Sequence, residues 1–482
     1  MTKHFEPNFA SLRQYQCPEW FRNAKFGIWS HWGPQCVPMY GDWYARHMYI
    51  QGSPQYLYHL RHYGHPSEFG YKDLVKLWHA ENFDPDSLMQ LYYKSGARYF
   101  MAQASHHDHF FNYASQINRF NSVNLGPRKD ICGLWQKAAQ KYNMPFGLSE
   151  HLGASFSWWS VNKGADSYGP YAGVPYDGND PAYRDFYHDN YEHCGDDPNN
   201  HYWWYTKNQK FQQYWLDCCR EMVDLYHPDL IYSDGGLPFG KIHEAQPEDP
   251  LYEKGLEFLS YYYNISAAEK GDDQVVYLQK DRRPEFYSIG TLDIEKSQLT
   301  EIADKPWHTD TCIGNWFYDV RQVFKTPKHI IEMLVDIVAK NGNMLLNVLQ
   351  RPDGTIDKET EFILSQLGAW FSINAEAIYG TRPWRTAGEG LSRVDPEGFK
   401  ETKVAWLPGD YRFTAKGNTV YAFVMAQPEN GVAVLRSFTE RVLAVELLGF
   451  GKCEFSQPFG VLNVQLPSNM PCEFVNCLKI TL

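Results

Sequence analysis

From residue 25 onward, short apolar runs end in polar, chemically capable side chains: KFGIWSHW (25–32), ARYFMAQASHHDH (97–109), MPFGLSEH (144–151), PDLIYSDGG (228–236), QVVYLQKDR (274–282) and NMLLNVL (343–349). Runs this short and uninterrupted are what strands buried on both faces look like. Between them the apolar spacing turns helical over 84–95, 130–142, 208–227 and 327–340, the last with Pro327 in its first turn and Asn341-Gly342 past its end. Repeated alternation of strand and helix predicts an α/β protein with a parallel sheet covered by helices. Polar residues gathered at strand C-terminal ends favour a (β/α) TIM-like barrel with its site at that face. After another helix-like stretch, 357–374, closely spaced strands follow without helices: VYAFVMA, GVAVLRSF, RVLAVELLG, FGVLNVQLP and CLKITL. They predict a C-terminal antiparallel β-sandwich. With the boundary near Trp384, the catalytic barrel spans 1–383 and the sandwich 384–482. The segment 153–206 has no periodicity and reads as a long loop over the barrel mouth.

Composition narrows the function classes. The 482 residues carry 45 basic and 57 acidic side chains, a formal charge of -12, and no concentrated Lys/Arg stripe, which argues against a nucleic-acid partner. Aromatic residues reach 16%, with 34 Tyr, 29 Phe and 16 Trp, while mean hydropathy stays at -0.53. Either many of these rings line a wet surface suited to sugar faces, or a large core uses them as filler. The ten cysteines show no Cys-x-x-Cys pair and no regular spacing, which predicts scattered buried thiols and neither a zinc site nor a disulfide framework. No apolar run is long enough for a membrane span, and residues 1–21 lack a signal-peptide core. The chain as given reads as cytoplasmic, or as periplasmic or secreted if a leader was trimmed. Homo-oligomerisation stays open.

Candidate chemistry sits at the strand ends. Asp234 follows an apolar run at once and is itself followed by Gly235-Gly236, so its carboxylate belongs at the barrel mouth, either as a functional group or as a turn cap. His106, His107 and His109 also follow a strand. Adjacent histidines rarely ligate one ion and no HExxH is present, so imidazoles gripping substrate hydroxyls are favoured over a metal, and no cofactor is expected. Residues 235–241 match the glycine and lysine spacing of a phosphate loop. Ile242 stands where the Mg²⁺-binding hydroxyl should be, and Pro238 removes an N–H from the cradle, which argues against nucleotide binding.

Several ordered motifs then resemble glycoside hydrolase family 29, the α-L-fucosidases: KFGIWSHWGPQCVPMYGDWYARHM (25–48), RYFMAQASHHDHF, HPDLIYSDGG, TDTCIGNWFY, KNGNMLLNVLQRPDGTID and FSINAEAIYGTRPW, continuing into RFTAKGNTVYAFV. The likeness covers nearly the whole chain and implies a barrel plus C-terminal sandwich. It further implies a retaining exo-glycosidase acting on terminal α-L-fucosyl residues, with Asp234 at the nucleophile position. Acidic residues at 269, 285, 293, 295 and 301 all lie in the interval that should hold the acid/base. The family's distance from an Asp-Arg pair, counted from Asp281-Arg282, selects Glu295. By the same resemblance His31, Asp42, Trp43, His106, His107, Tyr232 and Trp316 would hold the sugar, with Arg282 or Arg283 beside the acid. Three departures from the family pattern stand out: Asp42 replaces a glutamate, Tyr232-Ser233 replaces Trp-Phe, and SEHLGAS (149–155) replaces a Tyr-containing segment. A polar Ser or Glu from that last segment, in reach of the sugar, would favour L-galactose over L-fucose. The weaker alternative is a carbohydrate-binding protein on a decayed barrel.

Overall fold

A computed structural model describes residues 3–191, 204–239, 253–271, 274–395, 401 and 403–482. The eight strands of its first sheet are β1 (Phe26–Ser30), β2 (Phe100–Gln103), β3 (Phe146–Glu150), β4 (Leu230–Ser233), β5 (Val276–Gln279), β6 (Thr291–Leu292), β7 (Trp307–Cys312) and β8 (Gly342–Asn347). All neighbours run parallel, in the order β6-β5-β4-β3-β2-β1-β8-β7. Asp293, just past β6, bridges to His308 of β7, and the Ile294 and Lys296 amides donate to His308 and Asp310 carbonyls, both at 2.9 Å. These bonds close the sheet into the α/β barrel that the alternation predicts.

The covering helices are α1 (Pro85–Lys94), α2 (Ile131–Gln140), α3 (Gln209–Tyr226), α4 (Glu253–Lys270), α5 (Pro327–Ala339) and α6 (Lys358–Asn374). Their starts follow capping chemistry. The side chains of Asp84, Asp130, Asn208 and Thr326 each accept from backbone N–H groups of the first turn, and Pro occupies the first position of α1 and α5. Residues 153–191 do not form the structureless loop expected of them. Short helical turns run through Leu152–Ala154, Ser155–Trp158, Trp159–Lys163, Asp177–Asn179 and Arg184–Tyr187, because Trp158, Trp159, Phe186 and Tyr187 bury their rings and bring the backbone with them. Residues 192–203 lie outside the described residues. Most of the aromatic excess is core of this kind.

From β9 (Arg382–Glu389) onward the chain is antiparallel. With β10 (Tyr411–Lys416), β11 (Thr419–Val424), β12 (Val432–Leu435), β13 (Ala444–Leu447), β14 (Gly451–Lys452), β15 (Phe455–Ser456), β16 (Leu462–Gln465) and β17 (Asn476–Thr481), it forms a six-stranded sheet, β14-β13-β17-β11-β10-β9, and a three-stranded one, β12-β16-β15. Their facing side chains, among them Phe413, Ala422, Leu435, Leu462, Val464 and Leu478, make a separate apolar core. Polar contacts tie this unit to the barrel: Arg412 Nε donates to Asp336 Oδ1 at 2.6 Å, where Lys340 Nζ of the barrel satisfies the other oxygen, and Trp370 Nε1 donates to the Val475 carbonyl at 2.8 Å. The cysteines among the described residues are unpaired thiols, mostly buried, with Cys17, Cys453 and Cys472 half-buried. Cys194 lies outside the described residues. No helix among them is long and apolar enough to cross a membrane.

Candidate active site

Strand parity decides which side chains reach the barrel mouth. Trp29 of β1, Met101 of β2, Leu230 and Tyr232 of β4, Val276 and Leu278 of β5 and Leu345 of β8 share a small apolar cluster inside the barrel. Stepping on by two residues carries His31, Asp234 and Lys280 to the rim above it. There a cavity of about 600 Å³ is lined by Trp29, His31, Asp42, Trp43, His106, His107, His151, Trp204, Tyr232, Asp234, Lys280, Asp281, Glu295, Asp310 and Trp316. Gly235 turns the chain away directly after Asp234. Its φ is +109°, and a Cβ there would lie 2.6 Å from the Tyr205 hydroxyl, so glycine fits both the conformation and the space.

Lys280 organises the centre of the cavity. Its Nζ donates to Asp234 Oδ1 at 2.6 Å and also to Glu295 Oε2. His107 Nε2 lies 3.2 Å from Asp234 Oδ2, while its Nδ1 is 2.7 Å from the His151 carbonyl. Trp316 Nε1 donates to Glu295 Oε1 at 3.1 Å. Burial alone would raise the Asp234 carboxyl. Lys280, the His107 hydrogen bond and the nearby His151 outweigh it and hold Asp234 well below the usual carboxylate range. Burial would likewise depress the Lys280 ammonium, but Asp234, Glu295, Asp310 and Asp293 keep it well above its ordinary value.

His31 and His106 are held neutral. Burial pushes His31 down to about 3, and burial reinforced by neighbouring histidines pushes His106 well down. Gln35, whose Oε1 accepts from the Ala45 amide at 3.4 Å, presents its Nε2 to His106 Nδ1 at 2.8 Å, so His106 carries its hydrogen on Nε2 and is a donor there. His31, His106 and His151 have ring nitrogens within 4.8 Å of one another, the spacing of a metal site. With its hydrogen on Nε2, His106 offers a hydrogen-bond donor at that nitrogen. His109 does not join any such group: its nitrogens are taken by the Phe186 carbonyl at 2.9 Å and the Tyr214 hydroxyl at 2.7 Å.

Of the residues singled out from sequence, Asp234, Glu295, His31, Asp42, Trp43, His106, His107, Tyr232 and Trp316 all line the cavity. Arg282 is the correction. It is exposed, and the cation beside the two carboxylates is Lys280, because Lys280 continues the inward parity of Val276 and Leu278 while the chain has already turned at Asp281. Arg283 is bound to Asp281. Among the acidic candidates only Glu295 borders the cavity. Glu269 pairs with His227, Glu285 sits in the short helix Pro284–Tyr287, Glu301 is exposed, and Asp293 pairs with His308. The argument for a polar group from 149–155 reaching the sugar fails for Ser149 and Glu150. Glu150 accepts from Ser233 Oγ, from Trp215 Nε1 at 3.1 Å and from the Leu152 amide at 2.9 Å, outside the cavity, and His151 is the residue that lines it. Trp29, His151, Trp204, Lys280 and Asp310 were not anticipated; for Trp29 and Lys280 the period-2 count from neighbouring apolar residues was the available signal.

Comparison with known proteins agrees with this geometry. Residues 1–376 match the model of the α-L-fucosidase family, and residues 406–481 match that of the α-L-fucosidase C-terminal domain. The tissue α-L-fucosidase of Homo sapiens is 30% identical over 495 residues, covering 99% of this chain and 92% of that protein. The human plasma α-L-fucosidase is 25% identical, covering 99% of this chain and 92% of its own. The solved structure of the Thermotoga maritima α-fucosidase in complex with a mechanism-based inhibitor is similar with a TM-score of 0.75 at 24% identity, covering 99% of this chain and 100% of that one. With its barrel, its C-terminal sheets and matches to both family models, the chain belongs to the α-L-fucosidase family of glycoside hydrolases.

Proposed function

We propose that this α-L-fucosidase releases terminal α-L-fucosyl residues with retention of configuration, by double displacement. The observation that carries the reading is the single ammonium of Lys280 hydrogen-bonded to both Asp234 and Glu295. Oxygens sharing one ammonium are at most about 6 Å apart, which suits the 5–5.5 Å of a nucleophile and acid/base pair better than the 6.5–9.5 Å that leaves room for an attacking water. Asp234 attacks the anomeric carbon and forms a glycosyl ester while Glu295 gives its proton to the departing oxygen. Glu295 then takes a proton from water, whose oxygen attacks the anomeric carbon, breaks its bond to the Asp234 carboxylate and frees Asp234. The depressed Asp234 carboxyl suits a nucleophile that must be ionised. His106, as an Nε2–H donor, and His31, Asp42 and Trp43 surround the space where the sugar hydroxyls would lie, with Trp43 stacked on Trp204 at 6.0 Å between ring centroids. NMR of the first-formed sugar during hydrolysis of an aryl α-L-fucoside tests this reading. The α-anomer supports it, and the β-anomer refutes retention.

A second reading, α-L-galactosyl specificity, is favoured by one observation. The indole N–H of Trp29, which lines the cavity, is buried with no hydrogen-bond partner, as is His31 Nδ1. An unpaired buried donor costs about 1–3 kcal/mol, which a C6 hydroxyl would relieve and a methyl would not. Aryl α-L-fucoside and α-L-galactoside rates, measured on wild type and Trp29→Phe, decide between the two. Selective loss on the galactoside supports the second reading, and an unchanged ratio refutes it.

A further inference from the structure

Beneath the two carboxylates the barrel interior holds two more, Asp293 and Asp310, each about 1% exposed. They sit at the seam where β6 meets β7. Asp293 Oδ1 lies 2.5 Å from His308 Nδ1, which fixes one of its oxygens. Asp293 bridges to His308, two residues before Asp310 on the same strand, so the two carboxyl groups are diagonal neighbours on the inward face of the seam, and neither Asp293 Oδ2 nor Asp310 Oδ1 has a hydrogen-bond partner among the described residues. Two carboxylate oxygens can bond only through a proton. Tyr232 adds a second constraint: its hydroxyl is 3.0 Å from Asp310 Oδ2 and 3.3 Å from Asp234 Oδ1, two acceptors for one proton. Finally, the ammonium of Lys280 is already engaged with Asp234 and Glu295.

We propose that Asp293 and Asp310 share one proton at neutral pH, forming a buried acid pair that positions the Tyr232 hydroxyl beside Asp234 and leaves Lys280 to the two catalytic carboxylates. The inference rests on the reading of Asp234 and Glu295 given above. With both floor carboxyls ionised, Asp234, Asp293 and Asp310 would all bear on one ammonium even while Glu295 holds the proton it gives to the leaving oxygen, and nothing would hold Lys280 at the mouth in preference to the floor. With one proton on the pair, every close contact has a donor: His308 donates to Asp293, the shared proton joins Asp293 to Asp310, and Tyr232 donates to one of its two neighbours. The charged and titratable groups facing the pair are Lys280 from the end of β5, Glu295 after β6, His308 on β7, Tyr232 and Asp234 from β4, and Tyr99 just before β2. Burial, then the neighbouring Asp293, raises the Asp310 carboxyl well above its ordinary range, and burial lifts Asp293 to about 7. Asp293 and Asp310 are positioning residues, since they act through Tyr232 and Lys280.

Two measurements on the full chain test the proposal. Asp310→Ala should lower kcat by at least ~10-fold, the effect of leaving a buried partner unsatisfied. Asp310→Asn, which keeps a donor and an acceptor in the shape of the neutral acid, should recover most of that loss with an unchanged acidic limb of the pH profile. If Asp310 instead acts as an ionised counter-charge to Lys280, Asn will be as damaging as Ala, and the proposal falls; an Asn variant that does not fold counts the same way. The second readout is independent of hydrolysis. The infrared spectrum of wild type minus Asp310→Asn at pH 7 should contain a protonated-carboxyl C=O band that shifts in D₂O, and Asp293→Asn should remove the same band. Absence of the band from an active enzyme overturns the shared proton alone, whereas its presence in a protein that hydrolyses no fucoside overturns only the functional reading.

Discussion

Replacing Lys280 by Met would remove the cation that joins the two carboxylates while keeping most of the side-chain volume. Opposite charges about 4 Å apart in an effective dielectric of ~20 attract by about 4 kcal/mol, or roughly three pKa units at 1.36 kcal/mol each. Lys280 divides its attraction between Asp234 and Glu295 and is 17% exposed, so the realised change should be about 1–3 units. The sign follows from the direction of the perturbation. Lys280 holds the Asp234 carboxyl below its usual range, so its removal raises the pH at which Asp234 becomes protonated. The acidic limb of kcat/KM for an aryl α-L-fucoside, which reports the nucleophile of the free enzyme, should therefore move to higher pH by that amount. Lys280→Arg preserves the charge and should leave the limb in place, though its planar fork will sit less well between two carboxylates and lower kcat. A folded Lys280→Met enzyme whose acidic limb coincides with that of wild type would show that the Lys280 contact does not set the ionisation of Asp234.

Asp234→Gly should abolish turnover while leaving the fold intact, and added azide should restore it with formation of a β-configured glycosyl azide; wild-type-like activity would remove Asp234 from the mechanism. Glu295→Ala should cost ~10²-fold or more on a natural glycan and far less on an aryl glycoside with an acidic phenol, whereas Ala variants of Glu269, Glu285 and Glu301 should show no such dependence on the leaving group. Ala variants of His31 and His106 should each lose ~10²-fold in kcat/KM through lost transition-state contacts, while Arg282→Ala, exposed and outside the cavity, should stay near wild type. Arg412→Met breaks a buried pair with Asp336 that joins the sandwich to α5. With Lys340 still satisfying one oxygen, it should destabilise by about 2–3 kcal/mol, read as a lower denaturation midpoint.

The strands that sequence revealed are those whose burial is apolar on both faces: β1 to β5 and β8 each carry an uninterrupted run, and α1, α2, α3, α5 and α6 each carry the helical period. The long helix α4 escaped because its aromatic run YYYN (261–264) masks the period, with Tyr262 and Tyr263 buried and Tyr261 at the rim of the core. The family resemblance places Arg282 or Arg283 beside the acid, and a motif likeness does not register where a strand ends. The structure stops β5 at Gln279, so residue 280 is the last to obey the strand's alternation before Asp281 and Arg283 begin a turn held by their own ion pair.

β6 and β7 lack the long apolar runs that mark the other strands, β7 being recognisable through the family likeness of its TDTC motif, for a reason that is also functional. β6 is only two residues long, and β7, WHTDTC, contains no apolar run, since its inward positions are His308 and Asp310. Closing the barrel with apolar side chains at this seam would have announced both strands in the sequence. It would also have left Tyr232 with Asp234 as its only partner in the cavity and removed the groups that surround Lys280 from below. The barrel instead closes through the bridge from Asp293 to His308 and the backbone bonds to His308 and Asp310, so one stretch of chain supplies closure and a polar floor together. Sequence patterning reads the burial of hydrocarbon, and it fails where a protein buries ionisable groups that satisfy one another, which is the arrangement expected directly beneath an active site.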